Sequence, residues 1–102
     1  MKINIYGHHM VGIGDSFPVH VNESTQKVVD KYFKNRALCA RVKISKNNQE
    51  KFRSSIVISQ KGRKHYLVKG DGSSDTPYEA FNIALAKMST GLRRLKRKVA
   101  HH

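Results

Sequence analysis

Positively charged side chains in two parts of the sequence have the types and spacing needed to bind an anionic ligand. Six lysines and arginines fall between residues 87 and 98, with no acidic residue among them. Lys27, Lys31 and Lys34 are spaced by four and three residues, so they project together if that segment is helical. Such side chains neutralise phosphates and release counterions, without covalent chemistry. The residues predicted to bind phosphate are Lys27, Lys31, Lys34, Lys87, Arg93, Arg94, Lys96 and Arg97.

The positive charge extends to the whole chain. Twenty Lys and Arg against seven Asp and Glu give a formal net charge of +13 over 102 residues. This excess favours a polyanionic partner, nucleic acid before an anionic membrane. Basic residues near a helix C-terminus also stabilise the helix by interacting with its dipole. This effect explains only two or three of the six basic residues between positions 87 and 98.

Length and composition indicate one domain over residues 1–102. Cys39 is the only cysteine, so no disulfide framework is expected and a reducing, cytoplasmic compartment fits. No apolar run approaches the length of a transmembrane helix, and we expect no membrane partner.

Signatures of catalysis or metal binding are weak. Acidic residues are few and scattered, and no Ser-His-Asp or Cys-His arrangement is readable. Cys39 is expected to be a small buried apolar side chain. The pairs His8-His9 and His101-His102 lack a third nearby ligand. Gly70-Asp71-Gly72 precedes a helix but lacks the remainder of a phosphate loop. We therefore expect no enzyme activity, cofactor, metal or small-molecule substrate.

The basic residues of the last segment require a long helix, predicted over residues 76–99. Thr76 can cap it, Pro77 suits its first position, and Glu79 completes a capping box. Gly91 within it costs ~1 kcal/mol relative to alanine. The apolar stripe, in steps of three and four, consists of Tyr78, Phe81, Leu85, Met88, Leu92, Leu95 and Val99.

Alternating apolar and polar residues predict four strands, and a first helix follows the first strand. The strands are predicted over residues 2–6, 38–45, 52–59 and 64–69. The first helix is capped by Asp15 or Ser16 and ends near Asn35. Residues 70–74 are predicted to be a flexible loop. The stripe of the first helix consists of Phe17, Val21, Thr25, Val28 and Tyr32.

The resulting order, β-α-β-β-β-α, predicts an α+β two-layer sandwich. Short turns make the last three strands an antiparallel meander, and both helices cover one face of a four-stranded sheet. The other face, with Arg41, Lys43 and Arg53, is expected to be exposed. Helices lying side by side would join the two basic sets into one positive surface with a groove.

Aromatic side chains can stack on RNA bases. Tyr78 and Phe81 fall on the apolar stripe, so core packing is favoured over stacking for both. Tyr66 lies on a strand, and either role is open.

Four short motifs occur in a characteristic order: MKINIYG at residues 1–7, KYF at 31–33, YEAFN at 78–82 and LRRLKR at 92–97. Together they resemble the ribosome hibernation-promoting factor family, also called ribosome-associated inhibitors, along nearly the whole chain. Asn82 replaces the family's usual Asp, and residues 89–91 replace a charged, strongly helical stretch.

The resemblance implies a fold similar to a double-stranded-RNA-binding domain. It implies a bacterial stress or stationary-phase protein that binds the small ribosomal subunit in the mRNA and tRNA channel and inhibits translation by occupancy. The eight basic residues would contact rRNA phosphates, and this segment would be a monomer. Long family members carry a second domain that pairs ribosomes, so the chain would be a short form or a first domain.

Other functions remain open at this point. A binder of structured RNA in general would show affinity for any duplex. An RNA-processing enzyme, or a subunit of one, would need a cluster of acids, bases or metal ligands. A regulator acting through protein contacts would bind in a manner that survives high salt.

Overall fold

A computed structural model describes residues 2–8, 16–34, 38–47, 49, 51–62 and 65–100. The elements follow the predicted order. They are β1 (Lys2–His8), α1 (Ser16–Tyr32), β2 (Leu38–Lys46), β3 (Phe52–Gln60), β4 (Tyr66–Ser74) and α2 (Pro77–Ala100).

The four strands form one mixed sheet in the order β1-β2-β3-β4. The antiparallel meander of β2, β3 and β4 is confirmed. β1 pairs with β2 in parallel, so the two strands need a crossover connection, and α1 lies within it. β1 and β4 are the edges of the sheet.

Both helices pack on one face of the sheet, which confirms the two-layer sandwich. Ile56 and Ile58 of β3 are fully buried in a single core cluster with residues of both helices. On α1 the predicted Val21 is buried, but the next buried valine is Val29, whereas the predicted Val28 is only partly buried. The buried stripe continues in steps of four through Val21 and Thr25 to Val29, so Val28 lies at the edge of the core.

α2 begins as the capping box predicts. The backbone N–H of Glu79 donates a hydrogen bond to Thr76 Oγ1 at 3.2 Å, and the N–H of Ala80 donates to the Thr76 carbonyl at 3.0 Å. The first bond satisfies one of the N–H groups that the first helical turn leaves unpaired, and the second is the first backbone bond of the helix itself.

The prediction of a loop over residues 70–74 is wrong, because these residues form the second half of β4. Gly70 and Gly72 are buried beneath α2. A Cβ at Gly70 would lie 2.3 Å from the Ala84 carbonyl oxygen, and one at Gly72 would lie 2.3 Å from that of Ala80. Glycine occurs here because the helix backbone lies directly on the strand, which leaves no room for a side chain.

Gly91 of α2 also allows close packing, near the other end of the contact between α2 and β4. A Cβ there would lie 2.5 Å from Val68 Cγ1, and Val68 is itself buried in β4. The helix propensity lost at Gly91 is therefore the local cost of close packing between α2 and β4.

Candidate nucleic-acid interface

α1 and α2 lie side by side and run in the same direction. Ser16 Oγ and the Tyr78 hydroxyl share a hydrogen bond at 3.0 Å, and His20 Nε2 lies 3.3 Å from Asn82 Oδ1. The Phe17 ring also meets the Tyr78 ring edge-on, with centroids 4.9 Å apart. Tyr78 thus packs between the helices while keeping 36% of its surface exposed. The side-by-side arrangement assumed for a positive groove is present.

Tyr32 connects the basic residues of the two helices. A hydrogen bond from Ser89 of α2, together with the nearby positive charges of Lys31 and Arg93, lowers the pKa of Tyr32 below its ordinary value of 10.0 despite its partial desolvation. Lys31 Nζ also lies 5.5 Å from the centroid of the Tyr32 ring. Lys31 of α1 and Arg93 of α2 therefore converge on one tyrosine. We call the surface formed by Lys31, Tyr32, Ser89 and Arg93 the helix groove.

The lowered pKa of Tyr32 predicts an early step in alkaline titration. The pKa of Tyr32 is lower in the folded than in the unfolded state, so the contacts that favour its ionised form add no stability at neutral pH. The added stability appears as pH rises through the folded pKa and is complete above the unfolded pKa. Tyrosinate absorbance should show an ionisation step below the ordinary pKa of tyrosine, and Tyr32→Phe should remove that step. Added salt should shift the step upward, since it screens the two cations. A titration whose shape is unchanged by Tyr32→Phe would contradict this environment.

All eight predicted phosphate-binding residues are exposed, but the structure does not gather them in one region. Successive side chains on a helix turn by about 100°, so Arg93 and Arg94 point apart. Arg93 lies at the helix groove, whereas Arg94 lines a cleft between α2 and β4. Lys87 lines a depression that also contains Arg53 and Asp71. Only part of the set therefore lies at the helix groove, and the role of each residue in binding remains a prediction.

The face of the sheet opposite the helices is open and positively charged. Arg41, Lys43 and Arg53 are exposed there, as predicted. Lys69 adds a further cation, 4.0 Å from the carboxylate of Asp71. Cys39 is half-buried on this face. The prediction that Cys39 is buried is therefore wrong, because the alternation of β2 directs Leu38 and Ala40 to the core and Cys39 away from it.

Sequence reasoning missed the role of Tyr32 and Ser89 in joining the helices. In the sequence, Tyr32 is the last residue of the apolar stripe of the first helix. Ser89 is one of three residues that replace a charged stretch usual in the family. No local signal pairs two residues so far apart in sequence.

Within the ranges given above, no three His, Cys, Asp or Glu residues come together as a possible metal site. The side chains of the two histidine pairs lie outside the described residues. Neither described helix has a stretch long and apolar enough to cross a membrane.

A family model described as "Sigma 54 modulation protein / S30EA ribosomal protein" matches residues 3–100. The chain belongs to this family. The resemblance inferred from the four motifs is therefore confirmed. A curated relative, the ribosome hibernation promotion factor of Rhizobium meliloti, is 29% identical over 102 residues. That match covers 100% of the present chain and 51% of the relative, so the chain spans about half the length of that relative.

The same fold occurs in solved structures. The N-terminal domain of Thermus thermophilus Protein Y matches with a TM-score of 0.74 and 23% identity, covering 93% of this chain and 99% of that one. A ribosomal subunit interface protein from Coxiella burnetii matches with a TM-score of 0.66 and 18% identity, covering 95% of this chain and 99% of that one. At these identities the likeness concerns the fold.

Proposed function

We propose that this chain binds the small ribosomal subunit in the channel for mRNA and tRNA and inhibits translation by occupying it. The observation that carries the proposal is the convergence of Lys31 and Arg93 at Tyr32, across two helices, in an S30EA-family chain. The name of the Rhizobium meliloti relative supports a role in ribosome hibernation.

The proposed mechanism is electrostatic and steric. Exposed lysines and arginines of the helix groove bind rRNA phosphates and release condensed counterions, so affinity falls as salt rises. The packed core presents these cations on a rigid, elongated body of 46 × 23 × 20 Å. An elongated body of this kind can fill a channel and exclude its usual ligands without making or breaking a bond. The protein acts in the cytoplasm as a monomer.

The main alternative is binding to structured RNA of any origin. Phosphate contacts carry no sequence information, so the groove alone does not select the ribosome. Selectivity for the assembled subunit would require several surfaces of the domain to be engaged together. The comparison between ribosome and naked duplex separates the two functions.

The decisive experiment is sedimentation of the purified chain with small ribosomal subunits, at low and high salt, beside an equal mass of duplex RNA. We expect about one copy per subunit, retained at a salt concentration that releases the duplex, and competition by mRNA and tRNA. Equal, salt-sensitive binding to subunit and duplex would reject the ribosomal function and leave a general RNA binder.

A further inference from the structure

A β-bulge at the start of β4 coincides with two adjacent apolar side chains that are exposed. Ile58 pairs with Val68 but Ser59 pairs with Tyr66, so Leu67 is an extra residue without a partner on β3. In a regular strand, neighbouring side chains point to opposite faces. Here Tyr66 is 60% exposed and Leu67 39% exposed, while Val68 stays in the core. Bulges commonly redirect side chains in this way next to functional sites.

A cleft of about 310 Å³ lies between this bulge and the last turns of α2. Val68 and Gly91 are among its lining residues, and Gly91 allows the close approach between helix and strand described above. Two cations of α2, Arg94 and Lys98, also line the cleft, whereas the Lys69 side chain extends from β4 toward the open face of the sheet. None of the described lining residues is acidic. Arg94 and Lys98 therefore give the cleft a positive charge.

We propose that this cleft binds an unpaired nucleotide of RNA, with its base on the Tyr66 ring and its phosphates at Arg94 and Lys98. The pairing of an exposed aromatic ring with cations is the arrangement that binds single-stranded nucleic acid. An apolar peptide segment would not account for the two cations of α2 at this cleft. The cleft has the size of a small-ligand site and is too small for a duplex, so a base must leave its stack to enter.

This site lies apart from the helix groove. Arg94 is turned about 100° around α2 from Arg93, and the groove faces α1 whereas the cleft faces β4. The inference shares with the proposed function the premise that RNA is the partner. It adds recognition of RNA shape, because a groove binds phosphates in paired or unpaired RNA whereas the cleft selects an extruded base.

The test uses two labelled RNA hairpins that differ by one bulged adenosine in the stem. The wild-type chain should prefer the bulged hairpin, and Tyr66→Ala should weaken that complex by about tenfold while leaving the paired hairpin unaffected. Tyr66→Phe keeps the ring and should keep the preference. Tyr6→Ala is the matched control, since Tyr6 is 45% exposed on the opposite edge strand, outside the residues that line the cleft.

If wild type and Tyr66→Ala bind the bulged hairpin with equal affinity, the proposal that the cleft binds a nucleotide is wrong. If Tyr66→Ala fails to fold, the NMR signals of the Tyr66 ring in the wild type decide the question. A shift with the bulged hairpin alone supports the site, and the absence of a shift rejects it. Sedimentation of the same proteins with small subunits is read separately. If the wild type prefers the bulged hairpin but does not bind subunits, the proposed function is wrong and the nucleotide site at the cleft still stands.

Discussion

Replacing Lys31 and Arg93 together by alanine is expected to weaken binding to the small ribosomal subunit by about 60-fold at ~0.1 M salt. In the phosphate-neutralisation picture, each lost contact removes about 0.9 from the slope of log affinity against log salt. The loss of two contacts therefore changes the slope by about 1.8, which at ~0.1 M salt corresponds to an affinity about 60-fold lower. The slope itself, measured by sedimentation over a series of salt concentrations, tests the prediction more directly than one affinity.

The matched control is Arg41→Ala/Lys43→Ala. It removes the same two charges from exposed positions on the open face of the sheet, opposite the helices. We expect a clearly smaller loss, since only long-range attraction falls. If both double variants lose the same affinity, binding follows net charge and the helix groove has no special role. Circular dichroism should show that both variants remain folded, because all four side chains are exposed.

Gly70→Ala and Gly72→Ala are each expected to destabilise the fold by about 3 kcal/mol, at the upper end of the range for overpacked sites. The new Cβ at Gly70 would meet the backbone of Ala84 and Met88 at 2.3 and 2.7 Å, so no rotamer change can relieve the contact. α2 would have to move away from β4. For a domain of this size the melting temperature should fall by roughly 10–20 °C.

Ser73→Ala is the control for the glycine substitutions. Ser73 is an exposed neighbour of Gly72 on the same strand, and its side chain points to the open face. Its replacement should change the free energy of unfolding by less than about 0.5 kcal/mol. The combined Gly70→Ala/Gly72→Ala variant should lose less than the sum of the single variants, since one helix displacement relieves both contacts. Melting temperatures of the single variants within a few degrees of wild type would show that α2 does not lie as close to β4 as described.

Local sequence patterns determined most of the architecture. The alternation in β2 and β3 identifies the buried face that the structure shows, and Thr76 and Glu79 place the start of α2. The spacing by four and three residues correctly places Lys27 and Lys31 together on α1, whereas Lys34 lies in the turn that follows the helix, and all three are exposed. These features depend on neighbours within a few residues, so one sequence is enough to read them. The four motifs likewise led to the family that residues 3–100 match.

Tertiary packing decided the remaining features, because the structure of a residue also depends on residues that are distant in sequence and close in the fold. Gly70 and Gly72 indicate a flexible loop by propensity, yet they form a strand because α2 leaves no space for a Cβ. A helical wheel shows that Arg93 and Arg94 diverge, but only the packed fold shows that one faces α1 and the other β4. The convergence of Lys31 and Arg93 on Tyr32 joins residues more than 60 positions apart, and local periodicity carries no information at that range.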